Sequence, residues 1–318
     1  MKIACLGEIL IDFTASEKGK LITEVTSFIK NTGGSPPNTA TAISRLGGDV
    51  SFIAKISNDS FGRFLFDTVQ KNGINTKGIV RTNAPTCLVF VAIKENGVPD
   101  FEFYRENTAD VLLKEGDIDE EFLKELHIFH FGSITLLKDP ARSTAISTFL
   151  KAKELGLFTT LDPNIRPNLI EDKEQFLKDL DLIFKEVDLL KISEEDLLYL
   201  FPKENIHKDC DILLDKGAKA IIVTKGENGS LFCNRDFRVE VPGYKVDVVD
   251  TTGAGDGFMG ATLYYLSRYG FDVLKDQNKV LELLKFANAQ AALVCTKKGG
   301  IPSMPTLEEV ENFIKSRA

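Results

Sequence analysis

Short runs of β-branched and apolar residues alternate with stretches of helical period along most of this chain. They predict an α/β fold: a doubly wound, mostly parallel sheet with helices on both faces. Three observations carry that expectation. Strand-like runs occur at 3–6, 50–56, 127–131, 157–161, 187–192 and 220–224. Helical patterns fill 37–46, 62–72, 140–155, 173–184, 194–200, 255–268 and 277–295. Two further segments break the rhythm and predict a small β lid apart from the main sheet. The chain reads as one domain over 1–318, with the lid formed by about 13–32 and 86–108.

The opening run, Ile3-Ala4-Cys5-Leu6, reads as a first strand, and residues 13–32 then turn polar and threonine-rich with no helical period. Gly33-Gly34-Ser35-Pro36-Pro37-Asn38 follows. Paired glycines let a ligand approach the backbone, Pro37 suits a first helical turn, and Asn38 offers a donor and an acceptor to neighbouring hydroxyls. Residues 86–105 alternate around Asn96-Gly97 and so predict a hairpin. Phe101, Phe103 and Arg105 share one face of its second strand. An exposed edge of this kind is also a natural dimer contact. Ligands bind beyond the carboxyl ends of parallel strands, where Asp12, Asp162 and Lys191 are expected to share one rim.

The most informative stretch is Asp250-Thr251-Thr252-Gly253-Ala254-Gly255-Asp256-Gly257, followed by the apolar, helix-compatible Phe258, Met259, Ala261, Leu263 and Leu266. Small residues opening a helix leave backbone N–H groups bare in a region of positive potential, which suits an anion. A carboxylate on the first turn beside that anion, Asp256, is a candidate general base. Together they suit phosphoryl transfer to a hydroxyl. Gly255-Asp256-Gly257-Phe258-Met259-Gly260 also satisfies the dinucleotide fingerprint G-x-G-x-x-G, which points to an NAD-dependent oxidoreductase. That reading needs a second strand ending in an acidic residue, and beyond Met259 the chain has no β-branched run. No Walker A loop is present either: Gly19-Lys20 is followed by Leu21.

Composition narrows the partners. With 43% hydrophobic and 27% charged residues the chain is ordinary for a soluble enzyme, and a formal charge of −8 argues against nucleic acid. No 18-residue apolar run or signal-like leader appears, so the expected location is cytoplasmic. Cys5, Cys87, Cys210, Cys233 and Cys295 form no paired motif, as expected of reduced thiols. His127, His130 and His207 show no metal-ligand spacing with them.

Taken with Asp250–Asp256, the Gly33–Asn38 segment resembles the two signatures of the ribokinase-like sugar kinases, the PfkB carbohydrate kinase family. The resemblance runs nearly end to end. Gly7-Glu8-Ile9-Leu10-Ile11-Asp12 resembles the family's opening strand. Phe103-Tyr104-Arg105 with Ala109-Asp110, Asp162-Pro163-Asn164-Ile165-Arg166 and Lys297-Lys298-Gly299-Gly300-Ile301-Pro302 look most like its fructokinase branch. The resemblance implies an ATP-dependent kinase that phosphorylates a primary sugar hydroxyl, with fructose foremost and 2-keto-3-deoxygluconate and ribose as alternatives. The sugar acid would make Arg105 and Arg166 substrate ligands.

The implied roles follow residue by residue. Asp256 would be the base, with the N–H groups of Gly253, Ala254 and Gly255 on the transferring group and Arg166 screening phosphate charge. Asp12, Gly33, Gly34, Asn38, Arg105 and Asn164 would hold the sugar, covered by Phe101 and Phe103. Lys191, Ser193, Thr224, Gly226, Gly229, Gly255 and Asn288 would line the nucleotide. A monovalent cation, K⁺, would sit on Asp250, Thr252 and Ser303 with carbonyls of Val294, Lys297 and Gly299, all hard oxygen donors. Mg²⁺ would arrive with ATP. The family often places Asn-x-x-Glu after the central strand to organise Mg²⁺ waters. Here Ser193 and Asp196 keep that spacing, and either Asp196 or Glu195 takes the role.

Overall fold

The computed structural model describes residues 1–17, 19–95, 99–202 and 205–317. Its strands run in chain order as β1 (Lys2–Leu6), β2 (Leu10–Ala15), β3 (Phe28–Gly33), β4 (Asp49–Ser57), β5 (Ile79–Thr82), β6 (Leu88–Ile93) and β7 (Pro99–Tyr104). They continue as β8 (Ile128–Gly132), β9 (Phe158–Asp162), β10 (Leu189–Ser193), β11 (Ala220–Thr224), β12 (Ser230–Asn234) and β13 (Arg238–Val241). Among the described residues they form a nine-stranded sheet, β13-β12-β11-β10-β9-β8-β1-β4-β5, and a separate four-stranded sheet, β3-β2-β6-β7. The large sheet is parallel from β5 to β11 and closes on the antiparallel edge pair β12 and β13.

Residue alternation explains why this sheet is buried on both sides. In β1, Ala4 and Leu6 enter a core shared with Phe149 of the helix Ala141–Glu154 and with Phe176 and Leu180 of the helix Lys173–Phe184. Ile3 and Cys5 point the other way, to Ala40 and Ile43 of the helix Ser35–Arg45 and to Met259 and Leu263 of the helix Ala254–Tyr269. A strand with two covered faces reads as a near-continuous apolar run, as Ile128–Gly132 does with His130 the one polar side chain, buried like the rest. The doubly wound α/β expectation therefore holds, and so does the separate small sheet.

Three expectations change in detail. Asp12 does not end a strand of the large sheet; it lies in β2 of the small sheet, because the chain leaves β1 at Leu6 and starts a new strand at Leu10. The alternating 86–105 segment forms β6 and β7, paired antiparallel, while its Asn96-Gly97 centre lies outside the described residues. The β12–β13 edge pair and the helices Ile206–Lys216 and Leu307–Lys315 were not anticipated. Among the described residues no helix is long and apolar enough to cross a membrane.

Candidate active site

The helix Ala254–Tyr269 starts after Gly253, whose φ of 81° is left-handed, and Asp256 occupies its first turn. The carboxylate is buried. Its Oδ1 accepts the Ser35 hydroxyl at 2.5 Å and its Oδ2 accepts Asn38 Nδ2 at 2.8 Å. Both donors lie on the helix Ser35–Arg45, which Gly34 caps with a φ of 106° and which Pro36 and Pro37 open. The Gly-Gly-Ser-Pro-Pro-Asn segment thus grips Asp256 across 221 and 218 residues of sequence. Of the three expected helix-start donors, the Ala254 N–H turns to the Thr251 carbonyl at 3.1 Å.

A single buried cation faces this carboxylate among the described residues. Lys191, in β10, pairs with Asp162 at the end of β9 at 2.8 Å, with side chains 5% and 2% exposed. A Cβ placed on Gly255 would stand 3.0 Å from Lys191 Nζ, so the bare glycine lets the ammonium sit against the helix start without being displaced. Burial opposes charge on Lys191, but Asp162, with Asp196 and Asp256 beyond it, outweighs that and holds its pKa above the ordinary value. For Asp256 burial dominates and the pKa rises, against the Ser35 and Asn38 donors. Asp196 behaves likewise: burial and then Asp162 raise it. Asp196 also forms a reciprocal cap with Ser193 and accepts the Ile165 N–H at 3.0 Å, whereas Glu195 is exposed.

The small sheet brings its own residues over this rim. Asp12, beside Val89 and Phe103 in the sheet register, is pushed up to about 6 by burial. Gly33 makes room for it, since a Cβ there would meet Asp12 Oδ2 at 2.2 Å. Arg105 donates through Nε to Asp110 at 2.8 Å, while its buried Nη2 has no partner. Phe103 and Arg105 line a cavity of about 210 Å³ with Leu137, Lys138 and Leu169. Phe101 is 51% exposed. Asn164, with a φ of 42°, donates its N–H to Asp162 at 3.2 Å. Arg166 is exposed and donates to the carbonyls of Asn164 and Ile165, so it stands apart from Asp256's own partners.

The pfkB family carbohydrate kinase model matches residues 1–307. The chain belongs to this family. Fructokinase-1 of Oryza sativa subsp. japonica is 39% identical over 316 residues, covering 99% of this chain and 98% of its own. Among solved structures, the ATP-bound fructokinase of Xylella fastidiosa aligns with a TM-score of 0.89 at 31% identity, over 99% of this chain and 98% of that one. A double mutant of the Vibrio cholerae O395 fructokinase, described as bound to fructose, ADP and potassium ion, aligns with a TM-score of 0.86 at 26% identity, over 98% of each chain.

Two further clusters of this carbohydrate kinase come together only in three dimensions. Asp250 Oδ1 accepts the Thr252 N–H and hydroxyl at 2.9 and 2.7 Å, and its Oδ2 accepts the Gly299 N–H at 2.9 Å. Gly299 then opens the short turn in which Ser303 donates to the Gly300 carbonyl. Partial burial works against the Asp250 charge, but the Gly299 and Thr252 donors prevail and lower its pKa. The Val294 carbonyl accepts the Lys297 N–H at 3.2 Å, and the Lys297 ammonium pairs outward with Glu309. On the nucleotide side, Thr224 ends β11 and the 226–229 turn leads into β12, whose Ser230 pairs with Val241. Asn288 is buried and donates to the carbonyls of Val241 and Pro242 at 3.3 Å, bracing that turn from behind. A larger cavity, about 570 Å³, lies beside the helix Glu194–Leu200 and the Lys225–Glu240 pair, and none of the reacting groups lines it.

Sequence reasoning placed Asp162 on the ligand rim without giving it a role, and gave Ser35 none. Asp162 had a signal, a carboxylate ending an otherwise apolar strand. Ser35 had none beyond its place in the glycine motif.

Proposed function

We propose that this chain transfers the γ-phosphoryl group of ATP to the primary hydroxyl of fructose, giving fructose 6-phosphate. The observation that carries the reading is a buried carboxylate on the first turn of a glycine-opened helix, with a buried ammonium at the same helix start. Asp256 accepts the proton of the attacking hydroxyl, and its raised pKa makes it a stronger base than an exposed aspartate. The Lys191 ammonium and the N–H groups opening the helix meet the charge spread over the transferring oxygens. Lys191, Ser193, Thr224, Gly226, Gly229, Gly255 and Asn288 form the nucleotide side; Asp12, Gly33, Gly34, Asn38, Phe103, Arg105 and Asn164 form the sugar side. Arg166 and Phe101 reach in from the rim as the small sheet closes.

The donor sets fit the implied ions. Asp162, Asp196 and Asp256 leave the pocket rich in carboxylate. No cluster of three or more acidic, His or Cys side chains among the described residues holds a metal unaided, which fits Mg²⁺ held mostly by phosphate and water. Bound there, Mg²⁺ neutralises phosphate charge. Asp196, buried beside Asp162, fits the water-organising role better than the exposed Glu195. Asp250, Thr252 and Ser303 with the nearby carbonyls offer only hard oxygen, which fits K⁺.

Fructose is favoured over 2-keto-3-deoxygluconate because the similar proteins are fructokinases and because Arg105, one of the two cations a substrate carboxylate would call on, is already paired with Asp110. Coupled assays with ATP on fructose, ribose and ketodeoxygluconate test this. Fructose is expected to give the highest kcat/KM, and a higher value for the sugar acid overturns the assignment. We also read residues 1–318 as one domain with the small sheet as lid. That sheet serves as a homodimer contact, since Ile29 and Phe101 stand exposed on the face that carries Asp12. Sedimentation of the purified chain as a monomer rules the contact out. Five unpaired cysteines suit the cytoplasm.

A further inference from the structure

Glu8 is a buried carboxylate, 2% exposed, for which the reaction above has no use. It lies in the turn between β1 and β2. Its Oε2 accepts the Thr135 N–H at 3.2 Å and the Thr135 hydroxyl at 2.5 Å, and its own N–H donates to that hydroxyl oxygen at 2.8 Å. Its Oε1 accepts the Ser35 N–H at 3.4 Å. Ser35 in turn gives its hydroxyl to Asp256 at 2.5 Å. An unbroken line therefore runs from Thr135, in the turn after β8, through Glu8 and Ser35 to the reacting carboxylate. The approach depends on Gly34, where a Cβ would stand 2.6 Å from the Glu8 carbonyl oxygen.

We propose that Ser35 and Glu8 are positioning residues for Asp256, Ser35 through its hydroxyl and Glu8 by fixing the backbone from which that hydroxyl projects. The proposal rests on Asp256 being the general base. A carboxylate held by one donor can swing about its Cβ–Cγ bond. Asn38 on one oxygen and Ser35 on the other fix its plane, and a base must be aimed to within a fraction of an ångström to act. Hydrogen bonds to a charged acceptor are the strong kind, and this one is shielded from water. Glu8 cannot be exchanged for its amide without loss. A glutamine there can accept from the Thr135 N–H or from the Ser35 N–H with its single oxygen, and its NH₂ group confronts the other donor.

Steady-state kinetics on the full chain, with ATP and whichever of the three sugars it phosphorylates best, test the proposal. Ser35→Ala lowers kcat about tenfold while both KM values stay within about twofold, and Ser35→Thr restores most of the loss. Glu8→Gln lowers kcat by a similar factor. In the Ser35→Ala background it adds less than about twofold, because Glu8 acts through that hydroxyl. A Ser35→Ala enzyme with near-normal kcat overturns the proposal, as do factors that multiply in the double variant or a loss confined to KM. If Glu8→Gln fails to fold, judged by its thermal melt, the Ser35 pair decides alone. Asp256→Asn separates the two readings. An active Asp256→Asn enzyme removes the base and this proposal with it, whereas an inactive one beside a normal Ser35→Ala removes only the positioning.

Discussion

Asp250 and Asp256 stand in one short motif yet are pushed in opposite directions. Asp256 is buried, accepts one hydroxyl and one amide, and has its pKa raised chiefly by loss of solvent. Asp250 is also partly desolvated, but the Gly299 and Thr252 N–H groups and the Thr252 hydroxyl hold it as a carboxylate and lower its pKa. What separates them is the supply of backbone donors. A chain turning back on itself, as at 250–252 and at Gly299, presents N–H groups to a carboxylate. At the start of the helix Ala254–Tyr269, Asp256 draws on the side-chain donors Ser35 and Asn38, while the Ala254 N–H goes to the Thr251 carbonyl. One aspartate is thereby suited to taking a proton and the other to standing as a fixed charge.

The strongest test of that division is Asp256→Asn. It keeps the shape and removes the base, so kcat is expected to fall by about 10³-fold while the sugar KM changes little. Stopped or continuous ADP-coupled assays measure it. A kcat within about tenfold of wild type would take Asp256 out of the chemistry and leave both aspartates structural.

Next in size is Lys191→Met, which leaves Asp162 buried without its partner. Unfolding in denaturant is expected to show a loss of about 3 kcal/mol, because an unpaired buried charge is left behind. The double variant Asp162→Asn with Lys191→Met should recover most of that stability yet remain a poor kinase, since the ammonium at the helix start is still missing. Full activity in the double variant would show that the helix N–H groups alone serve the phosphate.

Much of this was legible in the chain. Apolar runs covered on both faces announce themselves, as β1 and β8 do, and a small-residue helix start with a carboxylate is read from Gly253–Asp256. The helix Leu307–Lys315 was not anticipated although it had a local signal, the Thr306–Glu309 capping box. The edge pair β12–β13 was harder: its strands are five and four residues long and carry a weak alternation. Asp12 was misplaced because a three-residue break after β1 sends the chain into another sheet, and local pattern does not record which sheet a strand joins. Glu8 and Ser35 lay beyond reach for a similar reason. Their meaning is their contact with each other and with Asp256, made across 27 and 221 residues.

The smallest expected effect draws the finest line between the two aspartates, and it is a melting temperature followed against pH. With its folded pKa raised, Asp256 contributes stability that is fully present below its unfolded pKa and is lost as pH rises through the folded value. At pH 8 the wild type therefore carries a disfavoured buried carboxylate, and Asp256→Asn should melt about 1–2 °C higher. That gain should shrink as acid protonates the wild-type group. With its folded pKa lowered, Asp250 contributes stability that is present above its unfolded pKa and disappears as pH falls through the folded one. Asp250→Asn should accordingly melt lower at pH 8, and the deficit should close only in stronger acid. It should also cost about tenfold in kcat and blunt the response to replacing K⁺ with a bulky organic cation. Shifts of the same sign in both variants would mean that the backbone donors around Asp250 do not outweigh its desolvation, and the contrast between the two residues would collapse to a difference in burial.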